Sequence, residues 1–244
     1  MSTTHEDNEQ QQRETNLQRM GRLAGALAHE IKNPLSTMNI SLQLLKEDLE
    51  AKPQVSSASV LPRIRLMSDE IRHLEKILDS FLQIARAPVL ELAERDPNEL
   101  IRNVLTLLAP ELTTHGITVH AQFDTGIGIA RMDPDLMRQT LLNLLRNAIQ
   151  AMPQGGTLTV LTRREGSHWT LELIDTGCGI PLELQPRVFE AFFTTRKGGT
   201  GIGLALVRGI VERHGGQISL QSAEGMGTRF LVRMPAPAVE GSVS

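Results

Sequence analysis

The most regular pattern in the chain is a stripe of apolar positions in its first third. Met20, Ala24, Leu27 and Ile31 are followed by Leu35, Met38, Leu42, Leu45 and Leu49, spaced by threes and fours as on one side of a helix. The steps alternate except between Ile31 and Leu35, where a second step of four shifts the seam. Pro34 lies inside that step. It lacks the amide that would bond the Glu30 carbonyl and disfavours helical geometry at Asn33, so a kink is expected there. Residues 51–59, AKPQVSSAS, have the composition of a loop. Val60, Ile64, Met67, Ile71, Leu74, Leu78, Phe81 and Ala85 then keep a strict alternation of four and three, the seam of a left-handed coiled coil. Two long helices on a short loop make an antiparallel hairpin that encloses too little core to stand alone. Pairing two hairpins into a four-helix bundle solves this and predicts a homodimer.

Beyond Pro88 the periods shorten and mix. Residues 89–93 read as a short strand, and Asp96-Pro97 caps a helix reaching about Thr114. Residues 116–123 alternate as a strand, and Asp133-Pro134 caps a helix through Met152. Residues 157–164 and 168–174 form paired strands, and a Gly-rich stretch from Thr176 to Gly203 contains a short helix. A helix to His214 and two closing strands, 217–222 and 228–233, complete an α/β sandwich with helices on one face. The expected partition is a disordered lead at 1–15, a helical domain at 16–88, an α/β domain at 89–236 and a loose tail at 237–244.

Composition narrows the function. With 25 basic and 28 acidic side chains the net charge of −3 gives no electrostatic reason to bind nucleic acid, and seven aromatics offer little for base stacking. Cys178 is the only cysteine, which excludes an intramolecular disulfide and a multi-cysteine metal site. No apolar run approaches the ~18–20 residues of a membrane span. The polar start lacks the form of a signal peptide, so a cytoplasmic location is expected.

Candidate chemistry gathers at four places. Lys197-Gly-Gly-Thr-Gly-Ile-Gly203 opens into a helix, where close backbone N–H groups and a helix N-terminus suit phosphate oxygens. It matches neither a Walker A loop nor a dinucleotide fingerprint, so a plain tight loop is as good a reading of it alone. Asn143 and Asn147, four apart on one helix, offer carbonyl oxygens of the kind a hydrated magnesium ion accepts. Asp175-Thr-Gly-Cys-Gly179 places a carboxylate at a strand end, where it can accept a hydrogen bond from an adenine amine. Solvated asparagines and an ordinary turn are the bland alternatives. His29 falls off the apolar stripe, with Glu30 beside it and Asn33 one turn on, a set that allows a solvated imidazole to act as nucleophile.

Together these segments resemble a sensor histidine kinase from about residue 17 to residue 235. His29-Glu-Ile-Lys-Asn-Pro34 resembles the H box and Asn143-Leu-Leu-Arg-Asn147 the N box. Asp175-Thr-Gly-Cys-Gly179-Ile180 resembles the G1 box, Phe189-Glu-Ala-Phe-Phe-Thr-Thr195 the F box, and Gly199-Thr200-Gly201-Ile-Gly203-Leu204 the G2 box. The resemblance implies a dimeric four-helix bundle followed by an ATP-binding α/β sandwich of the Bergerat kind. It implies that His29 accepts the γ-phosphoryl group of ATP with Glu30 as base, and that Asn147 holds Mg2+ with Asn143 beside it. Asp175 would bind the adenine amine, with Gly177, Gly179 and Thr228 shaping the pocket and residues 181–200 forming a lid that carries Lys197. Where many relatives have Lys, this chain has Gln150, leaving Arg146, Arg196 and Lys197 as candidates to neutralise phosphates. Asn33 would support dephosphorylation of a cognate response regulator. The wording around Asn147 and Phe193 is similar to the nitrogen-regulation subgroup, whose regulators are of the enhancer-binding kind. No sensing domain is evident, which leaves a small kinase served by a separate sensory partner or the catalytic portion of a larger protein.

Overall fold

A computed structural model of the protein describes residues 3–51, 57–85, 90–196 and 199–236. Two compact units divide it: Met1–Ala87 together with Ala191–Ile202, and Pro88–Glu190 together with Gly203–Ser244.

The first unit is built on α1 (Thr3–Ala51) and α2 (Ser57–Ala85). Asp48 near the end of α1 pairs with Arg63 early in α2 at 2.9 Å, while Leu27 at the middle of α1 joins the cluster around Ile77 that also holds Phe81 late in α2. The helices are therefore antiparallel. α1 begins at Thr3, within the segment where a disordered lead was expected; Gln, Glu and Arg, which fill it, rank among the better helix formers. Pro34 is buried inside an unbroken helix, and the hydroxyls of Ser36 and Thr37 donate back to the Lys32 and Asn33 carbonyls at 2.8 and 3.3 Å. Ala191–Ile202, expected within the α/β domain, clusters with the hairpin instead. The cause is apolar burial: Phe192 and Ile202 are enclosed with Ile77.

The second unit is a five-stranded sheet with helices on one face. β1 (Ala93–Arg95) leads into α3 (Pro97–Thr114), β2 (Ile117–Phe123), β3 (Ala130–Met132) and α4 (Pro134–Ala151). Then come β4 (Gly156–Glu165), β5 (His168–Asp175), α5 (Gly203–Arg213), β6 (Gln217–Ser222) and β7 (Thr228–Pro235). The order is β2-β4-β5-β7-β6, with β2 parallel to β4 and every other pairing antiparallel. β1 pairs with β3 in a separate ribbon. The strand expected at 89–93 thus forms later, where residues 130–132 supply a partner; residues 86–89 lie outside the described residues.

Asp96 and Asp133 cap α3 and α4 as expected, their carboxylates accepting from backbone N–H groups of the first turn. Val104, Leu108, Leu141, Leu145, Val207 and Ile210 of the helices close over Leu158, Trp169, Leu171 and Val232 of the sheet. Inward and outward residues alternate along β7, the sign of a sheet with one covered face. The ends of β5 and β7 lie at the margin of this covered face, and the candidate site is built on those ends. The tail at 237–244 lies outside the described residues.

Candidate functional site

Asp175 is the last residue of β5, only 4% exposed, and stands opposite Thr228, the first residue of β7. Its Oδ1 accepts the N–H of Gly177 at 2.9 Å and the N–H of Thr228 at 3.2 Å. Two donors on one oxygen fix the plane of a carboxylate that burial would otherwise penalise. The loop beyond it is locked by contacts that leave no room for side chains. A Cβ on Gly177 would come within 2.6 Å of the Ala151 carbonyl oxygen, and one on Gly179 (φ +68°) within 1.9 Å of the Ala223 carbonyl oxygen. The Cys178 N–H donates to the Ala151 carbonyl at 3.0 Å, tying the loop to the end of α4.

A second layer holds Thr228. Its Oγ1 lies 2.9 Å from the hydroxyl of Ser222, which donates to the Gly227 carbonyl and accepts the Ile180 N–H, each at 2.8 Å. The Gln185 amide donates to the Ile180 and Ser222 carbonyls at 2.9 Å. Thr176 faces the other way, its hydroxyl accepting the Thr157 N–H at 3.0 Å. Ser222, Gln185 and Thr176 were not read from the sequence. The available signal was a hydroxyl residue shortly before Gly225-Met-Gly-Thr228 and another directly after Asp175.

Asn143 and Asn147 sit half-buried on α4. Gly203 opens α5 beside them, and a Cβ placed there would lie 3.5 Å from Asn143 Oδ1. The second unit therefore brings together Asp175, Gly177, Gly179 and Thr228 as one bonded group and Asn143 with Gly203 as another. Among the described residues no group of three or more His, Cys, Asp or Glu side chains could hold a metal ion alone. Asparagine oxygens suit an ion that keeps its waters and leans on phosphate, and that is the donor set α4 offers.

Gly199, Thr200 and Gly201 belong to the first unit with Ala191–Ile202. There a Cβ on Gly201 would lie 2.4 Å from the backbone of Phe192, so the two ends of the intervening loop are pressed together. Lys197 lies outside the described residues. His29, Glu30 and Asn33 lie on α1, Glu30 half-buried and Asn33 exposed; the His29 side chain is outside the described ones.

Comparison with known proteins agrees with both halves. Residues 132–238 match the histidine kinase-, DNA gyrase B-, and HSP90-like ATPase family, and residues 19–88 match the His Kinase A (phospho-acceptor) domain. The sensor histidine kinase ZraS of Escherichia coli (strain K12) is 34% identical over 93% of this chain and 48% of its own length. The catalytic domain of histidine kinase ThkA is 32% identical with a TM-score of 0.56, covering 60% of this chain and 96% of that one. ThkA in complex with response regulator protein TrrA gives a TM-score of 0.75 at 26% identity, covering 99% of this chain and 69% of that one. The chain belongs to the two-component sensor histidine kinases. It spans about half the length of the curated ZraS relatives it matches, and no helix among its described residues is long and apolar enough to cross a membrane.

Proposed function

We propose that the chain is an ATP-dependent protein-histidine kinase that phosphorylates its own His29 and passes the phosphoryl group to an aspartate of a response regulator. The observation that carries this is the buried Asp175 group at the sheet end, made on the same chain as the His29-Glu-Ile-Lys-Asn-Pro34 helix. An adenine amine donates, and a fixed carboxylate at the mouth of a glycine-lined loop is its matching acceptor. Magnesium, held through Asn147 with Asn143 alongside, would neutralise charge on the ATP phosphates.

The imidazole nitrogen of His29 attacks the γ-phosphorus. A P–N bond forms as the bond to the bridging oxygen breaks and ADP leaves. Glu30, adjacent on α1, takes the imidazole proton. Incubation with γ-labelled ATP and Mg2+ is expected to leave a label that acid removes and base does not; a base-labile or absent label would contradict the reading.

The functional unit in this reading is a homodimer. Leu35, Leu42 and Leu49 of α1 and Ile64, Ile71 and Leu78 of α2 recur every seven residues and are all at least 44% exposed. The alternate positions, Met38, Leu45, Met67, Leu74 and Phe81, are partly covered. Each helix of the hairpin thus carries one seam covered by its neighbour and one left for a second copy. The partner regulator would dock on the exposed bundle face near His29, and the subgroup wording favours one of the enhancer-binding kind. A signal would come from a further domain or a separate sensory partner.

Asn33, exposed one turn beyond His29, would orient water toward the regulator's aspartyl phosphate. Asn33→Ala is expected to keep ATP-dependent labelling while slowing regulator dephosphorylation severalfold. Equal dephosphorylation rates with ADP and Mg2+ would remove Asn33 from the mechanism.

A further inference from the structure

α5 ends in a turn that holds His214 in one place. The Gly216 N–H donates to the Val211 carbonyl at 2.9 Å, and Gly215, at φ +73°, donates to the Glu212 carbonyl at 3.0 Å. His214 is the residue at the cap. Its Nδ1 lies 2.8 Å from the Ile210 carbonyl, and its Nε2 lies 3.0 Å from the backbone N of Asp133. A carbonyl only accepts and a backbone N–H only donates, so the ring carries its proton on Nδ1 and offers the Nε2 lone pair to Asp133.

Asp133 is itself the cap of the other helix. Its Oδ1 accepts the Asp135 and Leu136 N–H groups that open α4, each at 3.1 Å, and its Oδ2 accepts the Glu91 N–H at 3.0 Å. The C-terminal cap of α5 is thus bonded to the N-terminal cap of α4 across 81 residues of sequence. The same two helices meet again where Gly203 opens α5 beside Asn143, halfway along α4. The stretches from Asp133 to Asn143 and from Gly203 to His214 are matched, at roughly 15 and 17 Å of helix. α4 and α5 therefore run antiparallel, tied by His214 where α4 begins and α5 ends, with the start of α5 at Gly203 set against Asn143 in the middle of α4 and Asn147 one turn on. A slip by one residue would move those groups by ~1.5 Å. Displacements on that scale cost catalytic groups about a hundredfold.

We propose that His214 is a positioning residue of the nucleotide site, setting the register of α5 on α4 and hence the placing of the Gly203 N-terminus against the asparagine face. This role rests on the nucleotide-binding reading of that site.

The test is ATP·Mg binding to the full chain by titration calorimetry, which gives stoichiometry and Kd separately. His214→Phe keeps a ring and removes both bonds; His214→Gln keeps an acceptor for the Asp133 N–H. The expected result is an unchanged stoichiometry with Kd raised about tenfold in His214→Phe and restored to within about twofold in His214→Gln. A residue that served stability alone would lower the bound fraction and leave Kd as it was. Nitrogen NMR of the parent is expected to report the Nδ1–H tautomer at His214; the Nε2–H tautomer would overturn the proposal. Unchanged Kd in His214→Phe would overturn it as well, leaving the nucleotide reading intact. Failure of the parent to bind ATP would overturn that reading first, and this role with it.

Discussion

Asp175 and Asp124 are both strand-end aspartates, and their surroundings give them different work. Asp175 is buried, and its fixed oxygen faces the Gly177 and Thr228 amides at the sheet end where the adenine is proposed to bind. Asp175→Asn replaces a carboxylate that can only accept with an amide that can turn its donors toward the ligand. Loss of a charge-assisted hydrogen bond, ~1.5–3 kcal/mol, predicts ATP binding about 10- to 100-fold weaker; an unchanged Kd by titration would contradict its place in the site. Asp124 lies beyond β2 and caps a short turn at Thr125–Ile127. The backbone N–H of Arg164, then that of Gly126, hold its carboxyl below the ordinary 3.8, with burial opposing them weakly. Because the folded pKa is the lower one, its stabilisation is complete above about 3.8 and is lost as pH falls through the folded value. Melting curves should therefore place Asp124→Asn below the parent at pH 6 and bring the two together as the pH falls below the folded value. A gap that persisted in strong acid would contradict this. The sequence made Asp175 legible because a carboxylate followed by Thr-Gly-Cys-Gly closes an apolar strand. It left Ser222 and Gln185 silent, since their partners lie up to 42 residues away and no period connects them.

At the scale of elements, helices were legible wherever a seam or a cap marked them. The three-four spacing placed α1 and α2, and Asp-Pro pairs placed the starts of α3 and α4. β1 was expected a few residues early and β3 escaped, because three-residue strands have too few positions to show alternation; pairing with each other, not local preference, forms them. The segment Ala191–Ile202 escaped for a related reason, since burial of Phe192 and Ile202 against Ile77 is a contact between distant parts of the chain. The uncovered heptads of the hairpin carry a prediction of their own. Leu42→Glu with Ile71→Glu puts charges onto two positions that are 52% and 49% exposed in the single chain and would be enclosed in a dimer. Burying unpaired carboxylates is costly enough to weaken association by about a hundredfold or more. Light scattering is expected to find twice the 26.9 kDa chain mass for the parent and the single mass for the double variant. A parent that remains monomeric at micromolar concentration would contradict the bundle.

For the whole molecule, one chain carries a histidine-bearing hairpin and a sheet whose ends form the proposed nucleotide site, and each is legible in the order of its motifs. The proposed reaction joins them chemically: the phosphoryl group that enters with ATP at the Asp175 site ends on the imidazole of His29. The most direct measurement is to identify the modified residue after reaction with ATP and Mg2+, by fragmentation mass spectrometry under alkaline conditions, in the parent and in His29→Gln. A single phosphoramidate on His29 is expected in the parent and no phosphorylated residue in the variant, with ATP binding unchanged. Phosphate on another residue, or retained by His29→Gln, would contradict it.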